Sequence, residues 1–178
     1  MPTHAAFLRA VNLGSRRKAS GAQLEAALES AGFEDVASFR LSGNVVFSAG
    51  GAVAKIRAAA EAALEAELGF EVPVFLRTKK QLESISSAKP FPAAAHKRAG
   101  GPLQVVLLHR KPKAAGAQTV LELANDEDLL EIDGAEMYWL PRHGTQGSRL
   151  NMAGIDKALG QTTVRTQGTI SRVFEKFF

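Results

Sequence analysis

Residues 20–48 read SGAQLEAALESAGFEDVASFRLSGNVVFS, and this stretch predicts a helix followed by a β-hairpin. Ser20 and Gln23 have the three-residue spacing of a capping box, in which each side chain bonds the other's backbone amide. Apolar residues then recur at helical intervals from Leu24 to Ala31, and Gly32 predicts the end of the helix.

The second part of this stretch predicts two short strands joined by a turn. Val36–Arg40 and Val45–Ser48 are rich in apolar residues, and Leu41–Asn44 between them contains the turn formers Ser42, Gly43 and Asn44. We interpret these three residues as structural turn residues that tolerate a positive φ.

The first half of the chain as a whole predicts the element order βαββαβ. A strand over Thr3–Leu13 precedes the helix, and a second helix over Ala52–Leu68, ended by Gly69, leads to a strand over Val72–Arg77. A connecting helix over Lys79–Ala88 and a loop over Ala93–Pro102 follow.

The same order returns in the second half. Asp133-Gly134 is a strong hairpin signal between two short strands, and the almost wholly apolar run from Leu103 to His109 predicts a central strand. Ser148 is predicted to cap a helix that runs to Leu159. A last helix is predicted over Thr169–Phe177.

The predicted fold class is therefore α+β, with two tandem βαββαβ units of the ferredoxin-like kind, a connecting helix and an extra C-terminal helix. We place the first unit at residues 1–78. Residues 79–178 hold the linker helix, the second unit and the C-terminal helix. The similarity between the halves lies in element order more than in residues.

Composition excludes several classes of protein. The 178 residues include no cysteine, which removes disulfides and thiolate chemistry and fits a cytoplasmic location. There is no long apolar run for a membrane span. The net charge of +4 falls on the second half, since residues 1–78 hold 8 basic and 8 acidic side chains.

Two motifs resemble a bacterial family, the domain-of-unknown-function family numbered 1697. They are Phe7–Gly14, FLRAVNLG, and Ser42–Phe47, SGNVVF, with Lys18 matching a lysine of the family's basic turn. The family usually has glycine where this chain has Ala10. Near the C-terminus it has Trp-Asn where Gln167-Gly168 stand. The resemblance implies a fold and no established activity.

Arg9 and Asn12 interrupt an apolar strand, and they are our first candidate site residues. One interpretation is structural: Arg9 forms a salt bridge and Asn12 ties the following turn. The other is that Arg9 binds an anion together with Arg16, Arg17 and Lys18 and the amides that open the next helix.

We expect the first and third strands to be parallel neighbours. That would place the Ser42–Asn44 turn near the start of the first strand, with Asn12 and Lys18 beyond its end. The two family-like motifs would then form no common site.

The second half offers further candidates. Arg110, Lys111 and Lys113 follow its first strand as Arg16–Lys18 follow the first strand of the chain, and Arg149 lies in a family-like segment. Two equivalent cationic turns could follow a polyanion or be solvated loops.

The leading hypothesis is a binding module for an anionic ligand, a nucleotide or nucleic acid. The alternatives are a small enzyme with an anionic substrate between the units, and a structural or oligomerising protein. No cofactor, metal or membrane is expected, because the four histidines are scattered and no phosphate-loop motif is present. The protein is expected to be a monomer or homodimer, and no catalytic residue is assigned.

Overall fold

A computed structural model describes residues 1–12, 17–40 and 43–178 of the chain. Within them the protein is a mixed α+β chain with two four-stranded antiparallel sheets. Its contacts divide it into two units, the first made of residues 1–83 and 172–178, the second of residues 84–171. The predicted domain boundary at residue 78 stays a prediction.

The first unit contains a βαββαβ series and the start of a further helix. Its elements are β1 (His4–Leu8), α1 (Gly21–Ser30), β2 (Glu34–Ser38), β3 (Asn44–Ser48), α2 (Val53–Leu68), β4 (Val74–Thr78) and α3 (Lys79–Ser87).

Local signals explain where α1 and α2 begin and end. The Ser20 hydroxyl accepts from the Gln23 amide at 3.2 Å, and Gln23 Oε1 accepts from the Ser20 amide at 2.9 Å, which completes the predicted capping box. Gly69 ends α2 with φ of 73° and donates its amide to the Glu65 carbonyl oxygen at 2.8 Å.

The strand order of the first sheet is β2-β3-β1-β4, with antiparallel pairing throughout. The predicted parallel pairing of β1 and β3 is therefore wrong. The hairpin reverses β3 against β2, and β3 also runs antiparallel to its other neighbour, β1. Phe7 pairs with Asn44 in this register.

Both helices pack on one face of this sheet. Carboxylates from the two helices cap edge-strand amides: Glu25 accepts from the Ser38 amide at 2.7 Å and Glu61 from the Val74 amide at 3.0 Å. The core between sheet and helices is apolar and buried; it includes Ala6, Leu8, Val45, Phe47, Leu24, Leu28, Ile56, Ala60 and Leu64.

The second unit begins within α3 and reaches into a last helix. Its further elements are α4 (Ala93–Arg98), β5 (Gln104–Leu108), α5 (Ala114–Leu121), β6 (Asp128–Asp133), β7 (Glu136–Pro141), α6 (Gly144–Gly147), α7 (Met152–Leu159), β8 (Thr162–Thr166) and α8 (Gln167–Phe177). The strand order is β6-β7-β5-β8, again antiparallel.

Two local predictions in this unit are wrong. Residues 93–98 form α4 where a loop was predicted, because a run of alanines after Pro92 favours a helix. The cap of α7 is Asn151, whose Oδ1 accepts from the Gly154 amide at 3.0 Å. The Ser148 hydroxyl instead donates to Asp128 Oδ1 at 2.7 Å.

A residue-level repeat links the last strands of the two sheets. Arg77-Thr78 ends β4 and Arg165-Thr166 ends β8, and each arginine donates from Nη1 to the carbonyl oxygen of the residue before it, at 2.7 Å and 2.8 Å. Each threonine hydroxyl then accepts an amide three residues ahead, at 3.4 Å in α3 and 3.0 Å in α8.

Among the described residues, no helix is both long enough and apolar enough to cross a bilayer.

Candidate anion-binding site at one end of the first sheet

The loop after β1 and the turn before β3 lie side by side. The Leu8 amide donates to the Gly43 carbonyl oxygen at 2.8 Å, and the Arg9 amide donates to the Pro73 carbonyl oxygen at 3.0 Å. The expectation that the two family-like motifs lie at opposite ends of the first sheet is therefore wrong. Antiparallel pairing brings the end of β1 to the beginning of β3.

Asn12 closes the loop after β1. Its Oδ1 accepts from the Ala19 amide at 2.9 Å, and its Nδ2 donates to the Ala19 carbonyl oxygen at 3.0 Å. Its own amide donates to the Arg17 carbonyl oxygen at 2.6 Å. Asn12 therefore ties the residues that follow β1 to the segment of Arg17 to Ala19, which is the contact that a structural role requires.

Left-handed backbone is concentrated at this end of the sheet. Ala10, Asn12 and Arg40 have φ of 59°, 60° and 58°, and Gly43 has φ of 65°. Non-glycine residues rarely adopt these angles, and such residues tend to occur at functional sites. This geometry ends β1 at Leu8, five residues before the predicted end at Leu13, and Val11 packs in the same core as Leu8.

Gly43 has the positive φ expected of a turn residue, whereas Asn44 lies within β3. A Cβ on Gly43 would lie 3.2 Å from Leu8 Cβ, so the positive φ and the close strand both favour glycine. Asn44 is the first residue of β3 and is 1% exposed. Its carbonyl oxygen accepts from the Phe39 amide at 2.8 Å, which closes the hairpin.

The two loops are strongly cationic. Residues 9–20 and 39–44 together contain five Lys or Arg residues and no Asp or Glu. Of these cations, Arg9 is half-buried, whereas Arg17, Lys18 and Arg40 are exposed. Arg16, like Ser42, lies outside the described residues.

Two of the cations lie over aromatic rings. The Arg17 guanidinium carbon is 5.4 Å from the centroid of Phe70, and that of Arg40 is 5.3 Å from the centroid of Phe39. Cation–π contacts restrict a long side chain while they leave its N–H groups available for a ligand.

The structure does not bring the second-unit candidates to one place. Arg110, Lys111 and Lys113 are exposed on the loop after β5, and the neighbouring Leu108 amide donates to the Ala135 carbonyl oxygen at 2.9 Å. Arg149 is exposed at the other end of that sheet, near the beginning of β6. The four cations therefore form no common cluster.

Sequence reasoning missed two buried charged side chains and one half-buried arginine. Arg77 and Asp128 are 2% and 4% exposed, and burial lowers the pKa of Arg165 to about 10. The Arg-Thr pair shared by β4 and β8 was a signal for the arginines. Asp128 had none, because its partners Trp139 and Ser148 come from distant positions.

No group of three or more potential His, Cys, Asp or Glu ligands occurs in residues 1–12, 17–40 and 43–178. We therefore locate the candidate site by its cations and backbone geometry.

Comparison with known proteins gives a fold and a family. No curated protein matches the sequence. The solved structure of conserved bacterial protein SP0830 from Streptococcus pneumoniae is similar, with a TM-score of 0.72 and 17% sequence identity over 99% of each chain. At that identity the likeness shows the fold alone. A family model described as Protein of unknown function (DUF1697) matches residues 1–138. The chain therefore belongs to this family, as its two N-terminal motifs predicted.

Proposed function

We propose that the end of the first sheet binds a phosphate-bearing anion, either a nucleotide or the backbone of a nucleic acid. The observation that carries the proposal is the adjacency of two cationic loops without acids, joined through the hydrogen bond between Leu8 and Gly43. Clustered guanidinium and ammonium groups create a local positive potential, and guanidinium binds phosphate in a bidentate manner.

The described end of the loop after β1 supports this proposal. Asn12 bonds both backbone groups of Ala19 and donates its own amide to the Arg17 carbonyl oxygen, so the backbone that carries Arg17 and Lys18 is held before a ligand binds, which lowers the entropic cost of binding. Ser20 then caps α1, whose first residue is Gly21.

Binding fits these residues better than proton transfer does. Arginine stays protonated across the physiological range, so it supplies charge and hydrogen-bond donors. We assign an anionic ligand to the site and no reaction.

A salt titration tests the proposal. Fluorescence anisotropy with labelled single- and double-stranded oligonucleotides, and calorimetry with ATP, would be recorded at several salt concentrations. Phosphate contact requires that the logarithm of the association constant falls linearly with the logarithm of the salt concentration. A nucleotide site predicts saturable ATP binding, and a nucleic-acid site predicts tighter binding of the oligonucleotide. Absence of binding to all three at low salt would refute the proposal.

Paired variants locate the binding. Arg17→Gln combined with Lys18→Gln should reduce the magnitude of the salt slope for a single strand by about 1.4, since each lost phosphate contact accounts for about 0.7. The matched control, Arg110→Gln with Lys111→Gln, removes the same charge from the second unit. An equal loss in both would indicate general attraction and contradict a site at the first sheet.

We further propose that each unit is ferredoxin-like. Support comes from the βαββαβ order with strand orders β2-β3-β1-β4 and β6-β7-β5-β8. We also propose a cytoplasmic monomer or homodimer. Native mass spectrometry of the intact chain would give the oligomeric state and any bound anion together.

A further inference from the structure

Two neighbouring cavities lie at the end of the second sheet where β6 begins and β7 ends. One is an open groove of about 620 Å³ lined by Asp126, Asp128, Arg142 and Arg149 among others. The other measures about 230 Å³ and is lined by the apolar residues Ala95, Ala99, Leu129 and Leu140 and also by Arg98. Asp126 and Arg142 line both cavities, so the two form one continuous candidate site with a charged part and an apolar part.

Opposite charges face this site without pairing. The side chains of Asp126, Arg142 and Arg149 are exposed, and they form no ion pair or side-chain hydrogen bond with any described residue. An ion pair between them would have satisfied both charges within the protein. A carboxylate and a guanidinium held beside one cavity instead match a ligand that carries both charges.

The backbone beneath these side chains is firmly held. Asn125 Oδ1 accepts from the amides of Glu127 at 2.8 Å and Asp128 at 3.0 Å, which fixes the turn that carries Asp126. The Arg142 amide donates to the Glu127 carbonyl oxygen at 2.7 Å, and the Arg142 carbonyl oxygen accepts from the Gly100 amide at 2.6 Å. Asp126 and Arg142 therefore lie on two backbone segments that are hydrogen-bonded to each other.

A buried carboxylate forms the floor of the groove. Asp128 is 4% exposed, and its Oδ1 accepts from Trp139 Nε1 and from the Ser148 hydroxyl, both at 2.7 Å. These two hydrogen bonds are charge-assisted, and they hold the carboxylate in one orientation. The negative charge on the floor disfavours a simple anion in this groove, and the guanidinium groups of Arg142 and Arg149 disfavour a simple cation.

We propose that this site binds a small zwitterion with an apolar group, of the class of α-amino acids with aliphatic side chains. The ligand carboxylate binds the Arg142 guanidinium, its ammonium binds the Asp126 carboxylate, and its apolar group packs against Leu129 and Leu140. The proposal is independent of anion binding at the first sheet, since it uses only residues of the second unit.

The chain contains a natural reporter for this site. Trp139 is its single tryptophan, and its indole nitrogen is bonded to the Asp128 carboxylate that lines the groove. L-Leucine would be titrated into the full-length protein while Trp139 fluorescence is followed. Calorimetry of the same titration keeps the test decisive if the fluorescence does not change.

Three probes that each lack one part of leucine define the ligand class. These are 4-methylpentanoate without the ammonium, 3-methylbutylamine without the carboxylate, and glycine without the apolar group. Each should bind at least about tenfold more weakly than leucine, the factor expected when one charged or apolar contact is lost. Failure of leucine to bind at millimolar concentration, or equal binding of 4-methylpentanoate, would overturn the proposal.

Variants assign the contacts. Arg142→Gln and Asp126→Asn should each weaken leucine binding by about tenfold or more. Lys111→Gln, at the other end of the second sheet, should leave it unchanged. Both site residues are exposed, and circular dichroism checks that their variants remain folded. Unchanged affinity in the two site variants would refute the assignment.

Discussion

The carboxamide of Asn12 satisfies both backbone polar groups of Ala19, which lies seven positions later in the chain. This pair of bonds holds the backbone next to Arg17 and Lys18 against the residues that follow β1. Asparagine suits this position for a second reason as well, because it tolerates the left-handed φ of 60° found there.

Replacing Asn12 should destabilise the protein. Asn12→Ala removes two side-chain hydrogen bonds, each with a net contribution of about 1 kcal/mol, so the free energy of unfolding should fall by about 2 kcal/mol. Urea denaturation measures the change. Asn12→Asp retains the acceptor for the Ala19 amide but places a carboxylate oxygen against the Ala19 carbonyl, so it should not restore full stability. A decrease of less than about 0.5 kcal/mol in the free energy of unfolding of Asn12→Ala would contradict a stabilising role for these two bonds.

Replacing Ala10 with glycine should stabilise the protein. An L-residue in the left-handed region costs roughly 1–2 kcal/mol, whereas glycine's greater entropy in the unfolded chain costs about 0.5–1 kcal/mol. Ala10→Gly should therefore raise the free energy of unfolding by up to about 1.5 kcal/mol. This substitution restores the residue that the family usually carries at the position.

The control for Ala10 is an alanine in an ordinary helical position. Ala59 is exposed within α2, so Ala59→Gly should lower the free energy of unfolding by about 1 kcal/mol. Opposite signs for the two substitutions would attribute the Ala10 effect to its φ of 59°. Destabilisation by both would contradict it.

Gly116 should resist substitution despite lying in a helix. A Cβ at this position in α5 would lie 2.5 Å from the Ala158 carbonyl oxygen of α7, so the helices must move apart. The cost of overpacking, about 1–3 kcal/mol, should exceed the gain of about 1 kcal/mol in helix propensity. Thermal unfolding of Gly116→Ala should therefore show a lower midpoint.

Gly168 provides the matched control for Gly116. It lies in α8, and nothing lies within 4 Å of a Cβ added there. Gly168→Ala should keep or raise the midpoint, because only the change in propensity remains. A raised midpoint for Gly116→Ala as well would show that α5 and α7 can separate without loss.

His4 should make stability depend on pH. Burial lowers the pKa of His4 below its ordinary value of 6.5, since the side chain is 7% exposed at the start of β1. As pH falls, the unfolded chain takes up this proton first, so stability decreases below about pH 6.5 until the folded-state pKa is passed. Urea midpoints at pH 7.5 and 5.5 measure the decrease.

Two histidine variants separate this effect from other titrations. His4→Gln should reduce the pH dependence, and His96→Gln, an exposed position, should leave it as in the parent protein. An identical slope in His4→Gln and the parent would show that His4 titrates normally.

Signals that depend on near neighbours were read correctly from the sequence. The capping box of Ser20 and Gln23, the end of α2 at Gly69 and the hairpin between β6 and β7 each depend on residues a few positions apart, although the turn of that hairpin is Gly134-Ala135, one residue later than predicted. The family was recognised because its motifs are short and contiguous. The βαββαβ order followed from periodicity and turn residues.

Relationships set by tertiary pairing could not be read in the same way. Periodicity does not fix the direction of β3 against β1, so the meeting of Leu8 with Gly43 was missed. Ser148 has the chemistry of a helix cap, and only the structure shows that the buried carboxylate of Asp128 takes its hydroxyl. The groove around Asp126 and Arg142 joins residues 16 positions apart through backbone bonds that no motif marks.

The grouping of residues 172–178 with the first unit has a consequence for synthesis on the ribosome. Lys79 Nζ donates to the Phe178 carbonyl oxygen at 2.7 Å, and the Phe177 ring meets Phe39 edge-on with centroids 6.1 Å apart. The unit that is translated first therefore acquires its last contacts only after the whole second unit has emerged. During translation, the aromatic surface at Phe39 stays uncovered by Phe177 and open to chaperones.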